Sequence, residues 1–180
     1  MEFAARMADN PAPWSTGVEV GWNGEVSMEY SECRIGRTFA ARLRDGESIY
    51  AEIEKLAEKE GVQCASVLAV GGIRRGAVVT GPLNPDQPGN LQPMVQRFDD
   101  ARELVGVGTL FPQNGKPSLH FHAGMGRGNE SLVGCPRERA ECFLILEVII
   151  IEWLGLDARR DWDPATGFHL LRIFSGKKEE

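Results

Sequence analysis

Two of the three histidines in this 180-residue chain stand two positions apart. They lie in the run Pro117-Ser118-Leu119-His120-Phe121-His122-Ala123. The setting is apolar and strand-like, so side chains alternate faces. His120 and His122 share one face, and Leu119 and Phe121 take the other. Two imidazoles about 6–7 Å apart along a strand can converge on one metal ion. A third ligand must come from elsewhere. Cys135 is the candidate, just past the glycine-rich stretch Gly124–Gly134, which can turn the chain back. A His, His, Cys set suits zinc by softness and leaves one tetrahedral position for water or an anion. The competing readings are a hydrogen-bonded structural histidine pair, a pair that is an accident of composition, and a Cys135 that is a small buried hydrophobe.

Other side chains bear on the same chemistry. Glu147 stands mid-strand among aliphatics, where a buried carboxylate needs a partner. It reads as an acceptor for an imidazole N–H of the metal site, or as the partner of an arginine at a subunit boundary. Arg127, Arg137 and Arg139 flank the proposed site on loop-like stretches, and arginine outnumbers lysine 15 to 5. Arginine grips carboxylate or phosphate bidentately, so the three read as an anion site or as ordinary solvated surface. Were the metal catalytic, its water would be the nucleophile, with Glu130 or Glu147 as base. His169, Cys33, Cys64 and Cys142 read as structural.

The elements that must position these residues follow from pattern. Arg37–Leu43 alternates as a first strand. Asp45 reads as an N-cap, with a helix over 46–60 carrying Ile49, Ile53 and Leu56 on one face and Gly61 just past its end. Val62–Val70 reads as a buried strand broken by Gly71-Gly72. Strands are expected over 77–80, 94–98 and 103–111, with a proline-rich loop over 81–93. Asn114-Gly115 favours a hairpin that pairs 103–111 antiparallel with the histidine strand. In 141–153, Leu144, Leu146, Val148 and Ile150 line one face; Phe143, Ile145, Ile149 and Ile151 line the other. A strand apolar on both faces must be covered on both. One helix covers one face of a sheet, so the other needs a partner, most simply a second copy of the chain, while a curled sheet packing on itself would also serve. A last strand is expected over 168–174.

Length favours one domain plus an extension. Residues 1–34 read as an N-terminal extension in which Trp14 and Trp22 stand out, 35–175 as the domain, and 176–180 as a charged tail. The formal net charge of −6 lacks the basic footprint of a free-standing DNA-binding domain. Four cysteines without a CxxC spacing read as reduced thiols of a cytoplasmic protein. The first residues lack the apolar run of a signal peptide. The most apolar stretch, 142–154, is interrupted by Glu147 and Glu152 and is too short to span a bilayer as a helix. No membrane association is expected.

The order of these pieces resembles the plant-and-prokaryote-conserved (PPC) domain, which also follows AT-hooks in plant nuclear proteins. The resemblance rests on Arg37–Leu43, the helix from Gly46 to Gly61 and Ala69-Val70-Gly71-Gly72-Ile73. It continues through Glu103–Leu110, Gly115-Lys116-Pro117-Ser118-Leu119-His120-Phe121-His122, Glu147-Val148 and Thr166-Gly167-Phe168. The Gly-x-Pro-x-x-His-x-His word is its most specific part.

The resemblance implies an α+β fold: a mostly antiparallel sheet with a packed α-helix, assembled as a homotrimer. It also implies zinc on three histidines in some prokaryotic members, two of which fall on His120 and His122. The third belongs to a Gly-Gly-His-Leu word, where this chain has Val133-Gly134-Cys135-Pro136. Residues 1–36 hold no Arg-Gly-Arg-Pro AT-hook. The function implied is that of a stand-alone prokaryote-type PPC protein, oligomeric, binding zinc or a small anionic ligand, with a regulatory or DNA-associated role. The acidic balance argues against direct DNA contact. The alternative is a metal-dependent enzyme acting on a small anionic substrate.

Overall fold

The computed structural model describes residues 18–20 and 26–174. The tryptophan-bearing arm at Trp14 and Trp22 and the charged tail 176–180 lie outside the described residues. A two-stranded ribbon comes first, β1 (Val18–Val20) antiparallel to β2 (Val26–Glu29). Then follow β3 (Arg34–Arg44), the helix α1 (Ile49–Glu60), β4 (Ala65–Ile73), β5 (Gly76–Pro82) and β6 (Pro93–Phe98). A short 3-10 turn, Pro88–Asn90, sits in the connection between β5 and β6. The chain continues with β7 (Arg102–Gln113), β8 (Lys116–Arg127), β9 (Glu130–Arg137), β10 (Cys142–Leu154), β11 (Ala158–Asp163) and β12 (Phe168–Ile173).

The main sheet runs β3-β10-β4-β7-β8-β9-β5-β6, each neighbour antiparallel. The β11–β12 hairpin joins it through a single parallel bridge, Arg160 to Gln113. Among the described residues the fold is therefore a mostly antiparallel sheet with one α-helix. No helix among the described residues is long and apolar enough to cross a membrane.

Helix α1 starts three residues later than expected. Ser48, not Asp45, is its N-cap, and the Ser48 hydroxyl accepts from the Ala51 N–H. Asp45 instead pairs with Arg74 and accepts from the Leu144 N–H at 2.9 Å. Gly61 ends the helix in the left-handed conformation, donating its N–H to the last carbonyls. Ile49, Ile53 and Ala57 are buried against the inner face of the sheet, with Leu110, Leu119, Phe121, Leu146, Val148 and Ile150.

The strand β4 is not broken at Gly71-Gly72. It runs to Ile73 because these glycines let the backbone of β10 come close: a Cβ on Gly71 would lie 2.3 Å from the Ile145 carbonyl oxygen. The register skips there, between Phe143 and Leu146. The bulge carries Leu144 at φ 58 and turns it outward, so it leaves the buried row of Leu146, Val148 and Ile150.

The other face of the sheet lies open in the single chain. One cross-strand row reads Ile149, Leu68, Val107, His122. Val70, Val105 and Ile145 extend the same exposed apolar face. Glu147 belongs to it as well, so it is solvent-facing and not the buried carboxylate expected.

Candidate metal site

The site is built on the β7–β8 hairpin. Asn114 and Gly115 both take positive φ, which is the two-residue turn that matches strand twist. The pairing sets His120 opposite Thr109 and His122 opposite Val107. Between them Phe121 points inward and is fully buried. Its ring lies over Gly106, where a Cβ would come within 2.2 Å of the ring Cζ. Only glycine leaves that room, and the seated ring fixes both imidazoles outward. Their Nε2 atoms are 3.0 Å apart, with the rings edge to face.

Cys135 arrives from the next strand. The stretch 124–134 is not a loop: β8 continues to Arg127, turns at Gly128 and returns as β9. The two strands pair from Arg127–Glu130 to Ala123–Gly134. Beyond Gly134, β9 pairs with β5, with Cys135 opposite Val79. Gly134 permits the crossing, since a Cβ there would lie 2.3 Å from the Val79 carbonyl oxygen. Cys135 is buried, and its thiol donates to the Phe121 carbonyl at 3.3 Å. The Tyr50 hydroxyl donates to the Pro136 carbonyl at 2.7 Å. Past the divergence, the Leu119 N–H is accepted by Glu54 Oε1 at 2.9 Å.

The ligand atoms of His120, His122 and Cys135 all lie within 4.8 Å of one another. Donor atoms on one tetrahedral zinc stand about 3–4 Å apart. Two nitrogens and one sulfur in that space fit zinc after small side-chain rotations, with the fourth position left for water or an anion. Burial, repulsion from His122, and the charges of Arg160 and Arg137 hold the His120 imidazole below its ordinary pKa, which favours the neutral ligand form. Burial pushes the Tyr50 hydroxyl well above its ordinary range, so it remains a donor.

Most of the other expected site residues lie elsewhere. Glu147 is on β10, three strands from β8 and about 14 Å away at sheet spacing. Arg127 pairs with Asp100 at the far end of β8. Arg139 lines a separate surface hollow with Arg75, Arg97 and Glu138. Glu130 opens β9 and contacts Arg102 at 3.4 Å. Arg137 alone stays close, lining the same cavity as His120 and sitting over the Tyr50 ring.

Two side chains absent from the expected set do reach the site. Arg160 from β11 and His169 from β12 line that cavity too. The alternation of residues 168–174 signals the strand that carries His169. Nothing local signals Arg160, because Ala158–Asp163 is mostly charged.

The profile of the Plants and Prokaryotes Conserved (PCC) domain matches residues 30–154. No curated protein matches the sequence at a significant level. Among solved structures, a metal-containing protein from Archaeoglobus fulgidus superposes with a TM-score of 0.70 at 22% identity. The match covers 79% of this chain and 98% of that one. A plant- and prokaryote-conserved (PPC) protein from Pyrococcus horikoshii gives 0.67 at 20% identity, over 81% and 99% of the two chains. A candidate DNA-binding protein from Ralstonia eutropha gives 0.59 at 20% identity, over 74% and 89%. At these identities the likeness is one of fold.

Proposed function

This chain belongs to the Plants and Prokaryotes Conserved domain family, and on that premise we propose that it is a homotrimeric, zinc-binding protein with a regulatory, DNA-associated role. The observation that carries the metal is the convergence of His120, His122 and Cys135 within 4.8 Å. The Archaeoglobus protein described as metal-containing supports it. The mixed nitrogen and sulfur set favours zinc over the hard cations, which prefer oxygen. Bound zinc would polarise a water or hold an anion at its open position. The chain's own part is to present two neutral imidazoles and a thiolate.

Self-association rests on the open apolar face around Leu68, Val70, Val105 and Val107, three of which are more than half exposed. A continuous apolar face of this kind marks an interaction surface. A second and third copy cover it most simply, and the PPC resemblance implies three. His122 ends one row of this face, so the metal site would stand beside the subunit boundary.

The DNA association would run through a partner protein. The net charge of −6 and the lack of an AT-hook in residues 1–36 disfavour a direct grip on phosphates. The Ralstonia protein's description is the ground for keeping DNA in the reading. Nanomolar, sequence-discriminating binding by the purified chain at physiological salt would replace it with direct recognition.

The second reading is a metal-dependent enzyme acting on a small anion. The cavity beside His120 favours it. Glu130 and Glu147, its expected bases, both lie away from the metal, which weakens it. Metal analysis and light scattering on protein purified without chelator test the main proposal: it requires zinc near one per chain and a mass near three chains.

A further inference from the structure

A cavity of about 350 Å³ opens beside the metal site, between β8 and the β11–β12 hairpin. Its polar wall holds His120, Arg137, Arg160, His169 and Gln113, and among the described residues no carboxylate lines it. Its apolar wall holds Leu119, Phe168 and Leu170.

The two guanidiniums play different parts. Arg160 is only 8% exposed, and no carboxylate among the described residues lies within ion-pair distance of it. It donates to the Ser118 carbonyl at 2.5 Å and the Phe111 carbonyl at 3.4 Å from one nitrogen. From the other it donates to the Thr109 carbonyl and hydroxyl at 3.0 and 3.1 Å. Neutral acceptors thus hold it rigid without cancelling its charge. Glu54 is the carboxylate whose field it feels, and Glu54 is engaged by the Leu119 N–H. A buried charge without a counter-charge is costly, and an anion in the cavity would relieve it. Arg137 is exposed, stacks over Tyr50 and makes no ion pair among the described residues. Its planar fork is therefore free to grip a carboxylate in a bidentate way.

The apolar wall decides between anions. Phe168 and Leu170 are 48% and 39% exposed. Inorganic phosphate would leave them bare, while a carboxylate with an apolar body would cover them. The volume lies at the small end of the range for organic ligands.

We infer that this cavity binds a small organic carboxylate, its oxygens on Arg137 beside the fixed charge of Arg160 and its apolar body on Phe168 and Leu170. The inference rests on the metal reading only along the His120 side, because the guanidinium wall exists without the ion.

Calorimetric titration of the full chain with benzoate and with inorganic phosphate tests it, before and after metal removal. Benzoate is expected to bind both forms, more tightly than phosphate. Arg137→Gln should weaken benzoate about tenfold or more, the worth of a charged hydrogen-bonded pair, with metal content unchanged. Phe168→Ser should weaken benzoate and leave phosphate alone. Both positions are exposed, and thermal melts check that the variants fold. No benzoate binding by the wild type, phosphate binding as tightly as benzoate, or an unchanged Arg137→Gln would each overturn the inference. Wild type that carries no zinc as purified, and takes up none when it is added, yet binds benzoate would count against the zinc site and for this cavity. Zinc-loaded protein that ignores benzoate would do the reverse.

Discussion

The Nε2 atoms of His120 and His122 stand 3.0 Å apart although the two residues are alternate members of one strand. Same-face neighbours on a strand are spaced about 6–7 Å, so the rings lean toward a common point. Two protonated imidazoles could not hold that separation. One shared proton can, and so can one shared cation. The buried thiol of Cys135 beside them favours the cation.

Cys135 therefore carries a specific expectation. Cys135→Ser should lower zinc affinity by at least about tenfold, since changes even one shell out from a metal cost 10–100-fold. Cys64→Ser and Cys142→Ser should leave it unchanged. Burial raises both of those thiols to about 11, so they remain protonated and inert. Competition with a chromogenic chelator measures all three.

The histidine strand is held by its own packing. In Gly106→Ala the new methyl would collide with the Phe121 ring. Overpacking of this kind costs about 1–3 kcal/mol. The ring is fully buried, so its displacement should disturb β8, and zinc affinity should fall together with the melting temperature.

Glu152 ties β10 to β3. It accepts from the Arg37 Nε–H at 2.8 Å and from the Arg37 backbone N–H at 3.1 Å. The Arg37 side-chain bonds, against the opposing cost of burial, lower its pKa from 4.5 to about 2. A depressed carboxylate contributes stability that is complete above its unfolded pKa and lost as pH falls through its folded one. The window is thus about pH 4.5 down to 2. Glu152→Gln should cost about 1–2 kcal/mol near neutrality, because Arg37 is half exposed. The gap to wild type should close as pH falls through that window, read from urea midpoints.

The open sheet face has its own test. Val107→Asp places a charge in the middle of the apolar row between Leu68 and His122. If that face joins the subunits, the variant should shift from trimer to monomer in light scattering, since an unpaired charge in an interface is costly. A wild-type monomer at micromolar concentration would contradict the trimer outright.

Much of this arrangement was legible in the residues. Helical spacing of Ile49, Ile53 and Leu56, the Asn114-Gly115 turn and the His-x-His alternation mark α1 and the β7–β8 hairpin directly. Strand β9 was hidden because Gly124, Gly126, Gly128 and Gly134 read locally as a loop. In the fold those glycines serve a hairpin turn and a close strand crossing, which are tertiary facts. Arg160 was hidden because its role depends on carbonyls of β7 and β8 some fifty residues earlier. Glu147 misled for a related reason. Its aliphatic neighbours suggested burial, but alternation places it on the open outer face of the sheet.

The most direct test is the metal content of protein purified without chelator, set beside the His120→Ala, His122→Ala double variant. Close to one zinc per wild-type chain and none in the variant is expected, with the variant still folded. Metal-free wild type, with added zinc bound equally by both proteins, would contradict it.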